Sequence, residues 1–191
     1  MTIKEHIEHH FNKPRDKQRE IGKFHASEIW SIYKGYTNPT NFFKQKPADK
    51  QGMKNMALGV ALEDWLNKVL TEEGVEFVDQ ERFELEVAPG VWISGKTDFS
   101  FPDHILETKC PHDLVKGIPD KWRFQMECYH RASGKPVYLG VFDKSNETEE
   151  IISFYKYEPN DAIWETIKET VTIFNNKLIK KYASTKNLPT M

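Results

Sequence analysis

Apolar and polar positions along the chain fall into segments of two different periods. Between about Asn55 and Glu73, Met56, Leu58, Leu62, Trp65, Leu66 and Val69 recur at helical spacing, and Gly74 supplies a stop. Runs around 75–87, 91–101 and 104–109 read as strands instead, with "PG" and "PD" turns between them. A further helix is predicted over about 119–132, stopped by "SGKP". Strands follow at 136–142 and 150–157, then an amphipathic helix from Asn160 to Tyr182. At the front, residues 2–11 read as a short polar helix, and Ser27 is placed to cap a helix running to about Tyr33. The Pro- and Asn-rich stretch "YTNPTNFFKQKPADKQG" is a connection. Helices before, within and after one set of strands predict an α/β domain whose mixed central sheet is flanked by helices.

Composition bounds the picture more than it sharpens it. With 191 residues, 38% of them hydrophobic, the chain suits one domain with a sizeable core, and the tail "ASTKNLPTM" at 183–191 is expected to fray. A formal net charge of −2 means that any surface for a polyanion must be local. Lys13, Arg15, Lys17, Arg19 and Lys23 crowd into "NKPRDKQREIGK", although such runs are commonly just solvated surface. Cys110 and Cys128 are too few for a disulfide scaffold or a four-thiolate metal site, and a reducing cytoplasm is the simplest setting. No signal peptide opens the chain, and no apolar run is long enough to cross a bilayer. No repeat is visible.

Candidate chemistry concentrates in "LETKCP" at 106–111. Side chains alternate along a strand, so Glu107 and Lys109 project from one face while Thr108 points to the other. In "ISGKTDFSF", Asp98 lies one short turn earlier, and a hairpin would bring Asp98, Glu107 and Lys109 to one end of the sheet. Two carboxylates so placed, with the backbone carbonyl of Thr108, suit Mg²⁺ or Mn²⁺. Such a metal would polarise a phosphoryl oxygen, and Lys109 could orient water or steady developing charge. The bland alternative is a surface hairpin whose Glu and Lys merely pair.

Two helical segments add candidates. "MALGVALEDWL" puts Glu63 next to Leu62, on the side expected to face the sheet, although helix glutamates are usually exposed. "FQMECYHRASG" puts Gln125 and Tyr129 four apart, hence on one helical face, with donors and acceptors suited to a phosphate or a substrate strand. The alternative there is that Tyr129 fills core and Gln125 is solvated.

Taken in order, "G-x-x-x-E", "G-x-x-D", "E-x-K" and "Q-x-x-x-Y" resemble the PD-(D/E)xK nucleases, in the RecB-like branch and with the closer likeness there to its lambda-exonuclease and YqaJ-type members. The stretches that carry the likeness are "REIGKFHASEI" (19–29), "MALGVALEDWL" (56–66), "LETKCP" (106–111) and "WRFQMECYHRASGK" (122–135). The resemblance implies a restriction-endonuclease-like core. It implies Glu63, Asp98 and Glu107 as metal ligands, Lys109 as the catalytic lysine, and Gln125 and Tyr129 as supports for substrate and site geometry. Ser27, in "ASEI", matches a serine used near a terminal 5′ phosphate. Two positions depart from the pattern. Arg19 is offset by one residue from the family's phosphate-binding arginine, and Lys96 and Thr97 stand where it has a small serine, so Lys96 is expected to take the phosphate contact. Iron–sulfur nucleases of the same superfamily share the rhythm of "SEIWSIYKGYTNPTNFF", but no cysteine precedes Pro39 and none follows the last helix, so no iron–sulfur cluster is expected.

The expectation that follows is a Mg²⁺-dependent DNA exonuclease, with Mn²⁺ able to substitute, acting 5′ to 3′ on duplex ends to make single strands for recombination. The resemblance further implies a trimeric ring around DNA and a single-strand annealing protein as partner. A single-strand exonuclease or structure-specific endonuclease of the same superfamily is the enzyme alternative. A degenerate nuclease fold serving as a DNA-binding module is the non-enzyme alternative, against which the intact Asp98, Glu107 and Lys109 speak.

Overall fold

The strand at the centre of the molecule is the one that carries the acidic–basic pair. In a computed structural model, which describes residues 2, 19–44, 50–111, 113, 115–142 and 151–183, Ile105–Lys109 is hydrogen-bonded on both sides and buried over its first four residues. All but the first residue of the expected helix over 2–11, the basic residues Lys13, Arg15 and Lys17, and all of the tail beyond Ala183 lie outside the described residues.

The described chain runs β1 (Lys23–His25), a 3₁₀ turn (Ala26–Glu28), α1 (Ile29–Tyr33), α2 (Lys50–Glu72), β2 (Val78–Asp79), β3 (Arg82–Ala88), β4 (Val91–Lys96), β5 (Phe99–Ser100) and β6 (Ile105–Lys109). After it come α3 (Asp120–Ser133), β7 (Val137–Phe142), β8 (Ile152–Lys156) and α4 (Asp161–Tyr182). A five-stranded sheet has the order β2-β5-β6-β7-β8, parallel only between β6 and β7, which α3 connects; the other pairs are antiparallel. A smaller sheet has the order β1-β4-β3, with β1 parallel to β4. The α/β class with mixed strands and flanking helices is as expected, but the strands divide between two sheets rather than one.

The division arises because two strand-like runs each break in the middle. The run at 75–87 becomes β2 and β3, and the run at 91–101 becomes β4 and β5. At the break, Gln80 adopts φ 54°, its N–H donates to the Asp98 carbonyl at 3.0 Å, and Thr97 N–H donates to the Glu81 carbonyl at 2.9 Å. The ribbon thus stays zipped through the bend while its two halves join different sheets. Strand β1 has no counterpart in the expected elements. At three residues it is too short to show a period, and its pairing with β4 through Phe24 and Ile93 is a long-range event.

Alternation along the strands builds two cores. Ile105, Val137, Leu139 and Val141 face one side, where they join Phe24, Ile29, Ile93, Met126, Tyr129, Ile167 and Leu178. Leu106 and Phe99 face the other side and pack with Leu66 of α2 and Phe101. Helix α2 therefore buries a strip centred on Leu66. Leu58 and Trp65, expected on its apolar face, are 46% and 45% exposed. The helix stops are as the sequence suggests: Gly74 and Gly134 take φ of 68° and 71°, and Asn160 caps α4 by accepting from Ala162 N–H and Ile163 N–H at 2.9 and 3.1 Å. Ser27 does not cap a helix. It lies inside the 3₁₀ turn, whose first N–H, from His25, is taken by the Glu28 side chain at 3.0 Å.

Candidate active site

Strand β5 pairs with β6 through Phe99–Leu106 and Ser100–Ile105, so continuing one residue brings Asp98 beside the Glu107–Thr108 segment. Asp98 Oδ2 accepts there from Thr108 N–H at 2.7 Å and from the Thr108 hydroxyl at 2.8 Å. The short turn between β5 and β6 thus delivers the aspartate to the C-terminal half of the central strand, tied by two bonds to one residue. Thr108 is itself buried, in register with Gly140 of β7.

Glu107 is 1% exposed. Its Oε1 pairs with Lys109 Nζ and accepts from Gln125 Nε2 at 2.8 Å, while its Oε2 is buried with no hydrogen-bond partner. Burial first, and the nearby Asp98 charge second, raise its carboxyl from the ordinary 4.5 to about 7, against the pull of Lys109. Burial alone would lower Lys109, but Glu107, Asp98 and Glu63 together outweigh it and hold the ammonium above its ordinary value. Lys109 therefore keeps its proton.

Gln125 and Tyr129 share one face of α3, and both reach the cluster. Gln125 Nε2 also donates to the Tyr129 hydroxyl, which in turn donates to the Lys96 carbonyl at 2.9 Å. Tyr129 is 1% exposed and stacks edge-on against Phe83 at 5.5 Å. It fills core and ties α3 to the end of β4 at once. Its hydroxyl is raised well above the ordinary tyrosine value, chiefly by burial and then by Glu107 and Asp98, and so stays a donor.

Glu63 comes from α2, on the other side of the sheet. It is half-buried, and its carboxyl is raised by that burial and then by the charge of Asp98. Its Oε2 accepts from Gln80 Nε2 at 3.1 Å, and Gln80 Oε1 accepts from Lys96 Nζ. Gln80, absent from the sequence-derived candidates, links two residues that were on it. Nothing in "VDQER" marks the position, since glutamine carries no preference for positive φ.

Glu63, Lys96, Asp98, Glu107, Thr108, Lys109, Gln125 and Tyr129 thus form one connected polar group. Arg19 and Ser27 make no hydrogen bond or ion pair with it among the described residues. Arg19 Nη1 lies 2.7 Å from Glu28 Oε2 without hydrogen-bond alignment, and its guanidinium stacks 4.7 Å from the centre of the Phe42 ring. Ser27 is exposed, on a 3₁₀ turn that packs against α3 and β4.

The donors fit a hard divalent cation such as Mg²⁺ or Mn²⁺. An orphaned buried carboxylate oxygen on Glu107 and two carboxyls pushed up by burial and then by Asp98 are what such a charge would relieve. Among the described residues, no three His, Cys, Asp or Glu side chains converge as a ready ligand group. Each carboxylate is turned instead to a protein donor: Asp98 to Thr108, Glu107 to Lys109 and Gln125, Glu63 to Gln80.

No protein-family model matches the chain, and no curated protein matches it. Solved structures do. An alkaline exonuclease from Laribacter hongkongensis superposes with a TM-score of 0.63 at 16% identity, over 87% of this chain and 93% of its own. A phage-related exonuclease from Haemophilus somnus 129PT gives 0.59 at 15% identity, over 86% and 96%. The protein SSO0001 gives 0.64 at 15% identity, over 96% and 94%. The chain shares the fold of these three structures, two of which are named as exonucleases.

Proposed function

We propose that this chain is a metal-dependent deoxyribonuclease that degrades linear duplex from its ends. One observation carries the reading: a buried glutamate with a bare oxygen, Glu107, stands between an aspartate and a protonated lysine at the end of the central strand. A structural ion pair has no need of the unpartnered oxygen or of the second acid. Shared fold with two exonucleases, one of which has also been seen in complex with dAMP, supports a nucleic-acid substrate.

Glu107 and Asp98, with Glu63 and the Thr108 carbonyl, are the residues that would hold Mg²⁺ or Mn²⁺. The ion, when bound, supplies polarisation of the phosphoryl group and a lowered pKa for a water ligand. The chain's own groups do the rest. Lys109 retains its proton at Nζ and places a fixed positive charge where the phosphorane oxygens become more negative, which lowers the barrier more than it tightens ground-state binding. Gln125 fixes the orientation of Glu107 through Oε1, leaving Oε2 to face the reacting group. Tyr129 holds α3 and β4 at constant spacing, so that Lys96 stays at the rim of the site.

In its finer form the reading is 5′ to 3′ digestion of duplex, leaving single strands for an annealing partner, with a ring of three subunits enclosing the DNA. Ser27 within "ASEI" and the exposed Lys96 support a grip on a terminal phosphate. A charge-assisted bond to that phosphate contributes about 1.5–3 kcal/mol, so a 5′-hydroxyl end should be digested about tenfold more slowly, or worse. The test is parallel digestion, in Mg²⁺, of end-labelled duplex with 5′ phosphate or 5′ hydroxyl, of single strand, and of closed circular duplex. Faster loss of the phosphorylated duplex and resistance of the circle are expected. Equal rates on both ends, or cutting of circles, would replace the end-directed reading by a single-strand or endonuclease activity. No cleavage of any substrate would refute the nuclease reading itself.

A further inference from the structure

The β-ribbon that delivers Asp98 bends at Gln80, and this residue is unusual twice over. It is the one non-glycine residue with positive φ among the described residues, at 54°. That region is strained for an ordinary L-residue, and glycine or asparagine normally fills it. Its side chain is also bonded at both ends. Nε2 donates to Glu63 Oε2 at 3.1 Å, and Oε1 accepts from Lys96 Nζ. One neutral amide therefore stands between a carboxylate from α2 and an ammonium from β4, each satisfied by the end of opposite polarity. Glycine would serve the turn better but would leave the acid and the base facing each other, and the Lys96 charge already acts on Glu63 across that gap.

We infer that Gln80 is a positioning residue that keeps Lys96 from pairing with Glu63, so that the second carboxylate oxygen of Glu63 stays open to a divalent cation and the remaining protons of Lys96 to a phosphate. The inference rests on the metal-dependent reading above. Its physical basis is competition: an ammonium closed onto Glu63 neutralises a ligand charge and occupies the place of a metal ion. Asp98 is affected through the backbone as well, because Gln80 N–H holds the Asp98 carbonyl at 3.0 Å. A glycine at 80 preserves that bond and the bend, and removes only the spacer.

The experiment follows Mn²⁺ binding by calorimetry on the full chain, together with thermal melting without metal. Gln80→Gly should melt at or above the wild-type temperature, because the backbone strain is relieved, yet bind Mn²⁺ about tenfold or more weakly, the usual cost of losing a residue that orients a ligand. Adding Lys96→Ala to Gln80→Gly should restore most of the affinity, since the competing ammonium is gone. Wild-type affinity in Gln80→Gly, or a double variant as weak as the single one, would overturn the inference and leave the metal site standing. Glu107→Gln, run in parallel, tests that site separately. If the wild type binds no Mn²⁺, or Glu107→Gln binds it unchanged, the metal-dependent reading and the inference fall together.

Discussion

Replacing Glu107 by Gln should make the protein more stable and inactive at the same time. The glutamine keeps the shape and removes the charge. In the native protein the carboxyl is held at about 7 rather than 4.5, so between these values the folded state binds a proton that the unfolded state has released. Stability is then lost as pH rises through this window, and at about pH 8 the ionised Glu107 costs the fold about 3 kcal/mol. Removing the charge takes Lys109's nearest counter-ion with it, which returns part of the gain, so the net stabilisation expected at about pH 8 is about 1–3 kcal/mol. Urea unfolding in a metal chelator, at about pH 4.5 and about pH 8, measures it. The wild type should lose stability relative to the variant on going from the lower to the higher pH, and the two should nearly coincide at the lower. A variant less stable than wild type at the higher pH, or a difference that does not change with pH, would refute the view that Glu107 is a buried charge kept at a cost to the fold.

Lys109→Ala should lower the maximal cleavage rate by about a hundredfold or more while changing DNA affinity by much less, because its charge acts on the transition state; single-turnover kinetics beside a binding titration separates the two, and a loss of affinity alone would make Lys109 an ordinary phosphate contact. Arg131→Met should destabilise by about 3–5 kcal/mol in urea, since it strips the ion pair from the fully buried Glu127 and leaves only the Tyr157 hydroxyl and Asn160 N–H on that carboxylate. Gly22→Ala should cost about 2–3 kcal/mol, read as a fall in melting temperature, because φ is 89° and the new Cβ would stand 2.5 Å from the backbone oxygen of Gly90.

Much of this protein can be read from local pattern, because local pattern is what fixes which face a side chain takes. Two residues apart on a strand, Glu107 and Lys109 had to share a side; four apart on a helix, Gln125 and Tyr129 had to share a face; and the glycines at 74 and 134 stop their helices as helix-ending glycines do. The short turn before β6 made the approach of Asp98 to Glu107 foreseeable for the same reason. Tertiary structure decided the rest. It split two strand-like runs between two sheets and recruited the three-residue β1 alongside β4. It turned Leu58 and Trp65 partly outward, and set Arg19 against Glu28 and Phe42. Above all it placed Gln80 between Glu63 and Lys96, each 16 or 17 positions away. Contacts of that kind join side chains by hydrogen bonds across a bend, and they impose no repeat on either segment, so no periodicity records them. They exist only once the cores on both faces of the sheet have fixed where α2, the ribbon and β6 meet.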